Sequence, residues 1–406
     1  MLLYWVWFAE LQNISLLQKH RLLEQFGDPE TLYHTSDAGL KGEGISQSIC
    51  RALEERNIQS AQQILKDCRE KGIGILPVTD SAYPERLRNT PDAPVVLYWK
   101  GILPDWNSMP FVGVVGTRKA SAYGLQAAYQ LGAQIASSGG CIVSGGASGV
   151  DTAAMQGAME ADLPVVGVLG CGVDVVYPRS NRRLFETVVR RGCLLSEYPP
   201  GAAALAWHFP ARNRIISGIS NGVLVVEAPK KSGALITARY ALEQGRDVFV
   251  VPGNINAVSC EGSNLLLQEG AIPVLSGWDV LSGYEFLYPG KLKKQRIASL
   301  YMGEIPEARV AENPVRPASQ SEKQEISRKK SIDNLEKSSY SVLENDRAGL
   351  SAEEQAVLKL LTCQPQEPAE LIARLELSSG KVLSVLTMLT VKGFARKHAG
   401  GRFSLK

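Results

Sequence analysis

The sequence predicts an α/β protein built on a Rossmann-like, doubly wound, mostly parallel sheet, with a helical domain before it and a winged-helix domain after it. Three observations carry this reading. From Phe111 to Leu281, short apolar runs alternate with helical stretches. The runs are continuously apolar, as parallel strands covered on both faces must be. Each run ends in a glycine-rich or polar loop, so all these loops fall at one edge, outside the carboxyl ends of the strands. Doubly wound sheets bind their ligands there.

In chain order, residues 1–75 read as a helical domain of sterile-alpha-motif or helix-hairpin-helix type. Its candidate helices are Leu2–Gln12, Ser15–Phe26, Ile45–Glu55 and Ile58–Lys71, punctuated by Gly27-Asp28-Pro29 and Gly42-Glu43-Gly44. Such bundles bind DNA or protein, or simply pack. The apolar start, Leu2 to Phe8, is short and lacks a basic leader and a small-residue cleavage site. It reads as the buried face of a first helix and not as a signal peptide. Residues 76–110 read as an extension into the core, with a strand-like Val95–Trp99.

Residues 111–282 form the predicted sheet domain. Its strands are Phe111–Val115, Cys141–Val143, Val165–Leu169, Cys193–Leu195, Val223–Val226, Val248–Val251 and Ile272–Leu275. The helices between them are Ala122–Ser137, Val150–Glu160, Ser180–Arg191, Asn213–Ser217, Gly233–Gln244 and Ser263–Gln268. Residues 283–348, with Lys291, Lys293, Lys294 and Arg296 and then a Pro- and Ser/Lys/Glu-rich stretch, read as a disordered charged linker. In residues 349–406, Ser351 and Glu354 match a capping box. Two more helices, Pro368–Leu375 and Ser379–Val391, and a hairpin from Phe394 to Leu405 around Gly400-Gly401 complete a winged-helix pattern.

Composition narrows the function. No apolar run reaches membrane-spanning length. The seven cysteines form no CxxC pair and read as small apolar residues of a cytoplasmic protein. The four histidines are too dispersed for a metal site. Net charge is only +3, with the basic excess toward the C-terminus, so a polyanion at the central domain would need a local cluster.

That cluster is present in the loops. Gly116, Thr117 and Arg118 follow the first strand. Ser144, Gly145, Gly146 and Gly149 form a strand–turn–helix cradle of the kind that offers backbone N–H groups to an anion. Tyr177-Pro178-Arg179-Ser180-Asn181 leads to Arg182 and Arg183. Phe209 precedes Arg212 and Arg214, and Lys230 and Lys231 open another helix. One small anion needs one such site; a row of them suits a chain of phosphates, with Tyr177 or Phe209 stacking a base. A dinucleotide fits poorly, because the turn is G-G-x-x-G and the next strand ends in Gly170-Cys171-Gly172 without an acid. No P-loop motif is present, and His208 has no nucleophile elbow beside it. The carboxylates Asp151, Asp174, Glu197 and Glu227 read as caps and arginine partners more readily than as an acid/base set.

Taken together, the loops resemble the DprA (Smf, DNA-processing protein A) family. The resemblance rests on V-G-T-R-K-A-S-A-Y-G at 115–124, S-G-G-A-S-G-V-D at 144–151, V-L-G-C-G-V-D-V-V-Y-P-R-S-N at 168–181, F-P-A-R-N-R-I-I-S-G-I-S at 209–220 and V-E-A-P-K-K-S-G-A-L-I-T-A at 226–238. It implies a non-enzymatic protein without cofactor. Such a protein binds single-stranded DNA along the sheet edge, dimerises through the Rossmann-like domain and loads the RecA recombinase during natural transformation. The anion site would use Gly116, Thr117 and Arg118, Arg179, and backbone around Gly145–Gly149. Thr117 stands where many members have Ser, and Arg179 where Lys is common. Leu265–Ile272 would contribute to the dimer contact. Two other readings stand beside it. One is an enzyme cleaving nucleoside monophosphates, whose glycine-rich loop the segment from Pro229 to Thr237 matches poorly. The other is a DNA-binding regulator acting through residues 351–406.

Overall fold

The computed structural model describes residues 1–54, 56–161, 163–294, 351–362, 366, 368–372, 375, 379–391, 394–397 and 403–405. The chain divides into two compact units, Met1–Glu304 and Ile305–Lys406.

The first unit opens with helices α1 (Leu2–Glu10), α2 (Leu16–Phe26), α3 (Pro29–His34), α4 (Asp37–Gly42), α5 (Gln47–Glu54) and α6 (Ile58–Lys71). Helix α1 buries Trp5, Val6, Trp7 and Phe8, because it packs on both α6 and the sheet edge. Ser15 and Gln18 form a capping box at the start of α2. Sequence periodicity missed α3 and α4, which are too short to show a period. Their caps were legible: the Asp28 carboxylate accepts from Glu30 N and Thr31 N with Pro29 at the first position, and the Ser36 hydroxyl accepts from Gly39 N.

The expected extension is in fact part of the sheet. Strand β1 (Gly74–Pro77), helix α7 (Glu85–Arg88) and strand β2 (Val96–Gly101) follow α6, and β1 pairs antiparallel with β2. The doubly wound part then runs β3 (Phe111–Val115), α8 (Ala122–Ser137), β4 (Cys141–Ser144), α9 (Val150–Glu160), β5 (Val165–Leu169), α10 (Arg182–Arg191), β6 (Cys193–Ser196) and α11 (His208–Ile219). It continues with β7 (Gly222–Val225), α12 (Gly233–Glu243), β8 (Asp247–Val250), α13 (Glu261–Gln268), β9 (Ile272–Pro273) and α14 (Gly277–Leu281). Sheet order is β1-β2-β6-β5-β4-β3-β7-β8-β9. Strands β3 to β9 are mutually parallel, and β2 joins β6 antiparallel. The order reverses between β3 and β7, which makes the carboxyl end of that pair the topological switch point.

Helix α11 starts five residues before the expected Asn213, because Pro210 lies in its first turn, where proline removes no intrahelical hydrogen bond. The sheet core is closed by a segment expected to be linker. Tyr284 and Tyr288 are buried. The Tyr284 hydroxyl donates to Asp247 Oδ2 at 2.6 Å, and Lys293 N donates to Ser138 O at 3.0 Å. Residues 283–294 thus belong to the first unit, and the remainder of the expected linker, 295–348, lies outside the described residues.

The second unit contains α15 (Ala352–Leu360), α16 (Pro368–Ile372), α17 (Ser379–Val391), β10 (Ala395–Lys397) and β11 (Phe403–Leu405). The Ser351–Glu354 capping box forms, with Ser351 N donating to Glu354 Oε2 at 2.8 Å. Val357, Leu371, Val382, Leu386, Leu389 and Phe403 belong to a core of its own. Helices packed beside an antiparallel hairpin are the winged-helix arrangement. The expected turn at Gly400-Gly401 lies outside the described residues.

A chain ending at residue 281 is expected to unfold more easily than one ending at 294. Losing the burial of two tyrosines should cost roughly 3–6 kcal/mol, read as a lower urea midpoint. Equal midpoints would show that 282–294 contributes nothing to the fold.

Candidate nucleic-acid interface

The site is built where β3 and β7 end side by side. Val115 pairs with Val225, so the loops that follow leave the sheet together. Thr117 N donates to Glu227 O at 2.7 Å. The buried Glu227 carboxylate accepts from Ser121 N at 2.9 Å and from Ser121 Oγ at 3.1 Å, and Ser121 Oγ in turn caps α8 through Gly124 N. Glu227 is therefore a loop tie. Arg118, next to Thr117, is left exposed with its guanidinium 5.3 Å from the centre of the Phe209 ring.

The glycine cradle after β4 is real in shape but not vacant. Gly149 has φ of 84°, and a β-carbon there would lie 2.4 Å from Thr117 O, so only glycine lets this turn meet the β3 loop. The N–H groups turn inward: Ala147 N donates to Asp151 Oδ2 at 3.3 Å, and Gly145 N also faces this carboxylate. Burial pushes the Asp151 carboxyl up, while Arg212 and these donors pull it down. Arg212 is itself buried. Its Nη1 donates to Gly145 O at 2.9 Å and to Val168 O. Burial pushes the guanidinium down to about 10 against the pull of Asp151, which leaves it charged at neutral pH.

Several residues expected to contact a ligand are instead engaged inside the protein. The Ser144 hydroxyl donates to Val114 O at 2.7 Å inside the sheet. Gly145 and Gly146 are buried, and Gly145 serves Arg212 and Asp151. Asn181 is buried and ties the β5 loop down, its Nδ2 donating to Gly146 O at 2.9 Å and to Thr152 Oγ1 at 2.7 Å. Arg214 is also buried and grips both oxygens of Glu197 at 2.7 Å, with Asp92 at 3.4 Å from its Nε. Its Nη1 has no partner but is buried, so Arg214 presents no donor at the surface to an external phosphate.

What stays open is a small cavity of about 50 Å³ lined by Arg118, Ala147, Ser148, Tyr177, Pro178 and Phe209 over a floor of Gly145 and Arg212. The Tyr177 and Phe209 rings lie 5.2 Å apart, tilted by 36°. Arg179 follows Pro178 in a short 3-10 turn, exposed, and Arg182 and Arg183 are exposed in the first turn of α10, which carries no acidic residue. Lys230 and Lys231 are exposed on the β7 loop and do not line this cavity; Lys230 lies 3.5 Å from Glu261.

Asp174 fixes the β5 loop from behind. Its carboxylate accepts from Lys71 Nζ at 2.6 Å and from Gly201 N at 2.8 Å. His208, buried, stacks on Tyr198 and has its Nδ1 3.1 Å from Gly170 O. Sequence reasoning missed Trp207, which is exposed; an aromatic isolated in the A-L-A-W loop was the available signal. Among the described residues no three His, Cys, Asp or Glu side chains converge as metal ligands would. No described helix is long and apolar enough to cross a membrane.

A family model described as DNA recombination-mediator protein A matches residues 74–285, and one described as DprA winged helix domain matches residues 343–401. The DNA processing protein DprA of Bacillus subtilis is 42% identical over 218 residues, covering 54% of this chain and 73% of that protein. Its namesake in Streptococcus pneumoniae is 45% identical over 209 residues, covering 52% and 73%. The X-ray structure of DNA processing protein A from Streptococcus pneumoniae superposes with a TM-score of 0.62 at 36% identity, covering 70% of this chain and 98% of that one.

The two kinds of arginine should separate in stability. Arg214→Ala strands Glu197 in a largely buried setting and is expected to cost roughly 3 kcal/mol. Arg118→Ala should stay within about 0.5 kcal/mol of the parent. Urea denaturation measures both; similar losses would contradict the assignment of Arg214 to the scaffold and Arg118 to the surface.

Proposed function

The chain belongs to the DNA recombination-mediator protein A family, and on that premise we propose that it binds single-stranded DNA at the carboxyl edge of its sheet and hands the strand to RecA recombinase during natural transformation. The observation that carries this reading is the open cavity in which Arg118 lies against Phe209 and Tyr177. A guanidinium grips phosphate through paired hydrogen bonds. An aromatic face needs an unstacked base, which a single strand offers and a duplex does not. Arg118 and Arg179 hold successive phosphates, and Arg182, Lys230 and Lys231 extend the positive rim. Gly116, Thr117 and Gly149 shape the loop from which Arg118 projects.

The protein acts as a homodimer in the cytoplasm. Leu265, Ile272 and Leu275 are 41%, 44% and 82% exposed near the last strand, an apolar group that a second copy would cover. The role is binding and not catalysis. Glu227 and Asp151, in the loops and helix behind the cavity, accept hydrogen bonds from Ser121 and from Ala147 N of the cradle. This weighs against the nucleoside-monophosphate-cleaving alternative, which needs a free acid. Incubation with nucleoside monophosphates should release no free base.

Replacing Arg118 with alanine should weaken binding to single strands of every sequence. It should also flatten the slope of log K against log salt by about 0.7 per lost phosphate contact. Adding Arg179→Ala should flatten it further. A double variant with native unfolding, unchanged affinity and unchanged slope would place the DNA path elsewhere.

A further inference from the structure

We propose that Trp207 is a second base-stacking station for the DNA strand, on the β6 side of the arginine cavity. This rests on the single-stranded DNA reading above. Trp207 is 66% exposed, whereas Trp5, Trp7 and Trp106 are each below a tenth. An indole carries a large apolar area, and leaving it in water forgoes the burial that normally recruits tryptophan. Trp207 joins neither hydrophobic core of the described residues.

The indole is nevertheless braced. Its ring meets His208 edge-on at 4.0 Å and 80°. The His208 ring is stacked on Tyr198 at 3.7 Å and 20°, with its Nδ1 near Gly170 O at the end of β5. Tyr198 lies two residues past the end of β6, so this three-ring column stands on the carboxyl edge beside β5. The loop leading to it is pinned where Gly201 N donates to Asp174, the carboxylate that also holds the β5 loop.

Phe209 and Tyr177 line the cavity, and Phe209 follows Trp207 and His208 in the chain. The edge thus carries two aromatic groups two residues apart at the start of α11, with Arg118 against the first. A single strand whose phosphates are held by Arg118 and Arg179 has its bases free to splay. One base enters at Phe209 and Tyr177, and a neighbouring base lies flat on the Trp207 indole. Sequence-independent stacking is the chemistry an exposed, prepositioned indole supplies.

The test uses the full chain and an oligothymidine labelled at one end. Binding should quench tryptophan fluorescence in the parent, and most of that quench should vanish in Trp207→Phe, which keeps affinity within about threefold because phenylalanine still stacks. Trp207→Ala should lose affinity by about fivefold or more, with the salt slope unchanged, because stacking releases no counterion. An oligonucleotide of abasic residues should bind the parent and Trp207→Ala alike. If both variants bind and quench like the parent, Trp207 is no station, while the single-strand reading stands. If the labelled strand fails to bind the parent at all, that reading falls and the station with it. Should Trp207→Ala fail to fold, Trp207→Phe and the abasic strand still decide.

Discussion

The carboxyl edge depends on one buried arginine. Arg212, on α11, reaches under the sheet's end and ties the β4 loop at Gly145 O to the end of β5 at Val168 O. Asp151 from α9 favours the charged guanidinium electrostatically, and its carboxylate accepts from the cradle at Ala147 N. Taking a guanidinium out of water is expensive, so its burial is weak evidence for stability. Here the arginine sets geometry. It ties two strand ends to α11 and lies in the floor of the open cavity.

That internal use of the cradle changes what the glycine turn means. A turn followed by a helix start offers N–H groups to any anion, and in this chain the anion is the protein's own Asp151. Ligand capture then passes from the backbone to the side chains at the rim. Arg118 can serve because Glu227 and Ser121 lock the loop beneath it. Arg179 stands where Asn181 and Asp174 hold the β5 loop on either side. Lys71 extends this support into the helical domain, since its salt bridge to Asp174 joins the end of α6 to a loop that lines the cavity.

Much of this was legible in the chain. Helices Ile58–Lys71, Ala122–Ser137 and Val150–Glu160 and strands Phe111–Val115 and Val165–Leu169 stand where apolar periodicity puts them, because their packing agrees with their local pattern. The β1–β2 pair was read as an extension, since joining β6 from about a hundred residues away leaves no local signature. In the site, Arg118 and Arg179 were read as exposed cations, and the structure leaves them so. Arg212 and Arg214 look the same in sequence and are buried, because the carbonyls of Gly145 and Val168 that hold Arg212, and the carboxylates of Glu197 and Asp92 that hold Arg214, meet them only through the fold. Asn181 was read as a ligand contact for the same reason, its partners at Gly146 and Thr152 lying on another strand–helix unit.

The central claim is capture of an unpaired strand by a rim of arginines and aromatic rings. The most direct measurement is a fluorescence anisotropy titration of the full chain with matched single-stranded and duplex oligonucleotides at several salt concentrations. The account predicts tighter binding of the single strand at every salt concentration, with log K falling linearly against log salt as phosphates displace counterions. A preference for duplex, or a single-strand affinity that ignores salt, would contradict it.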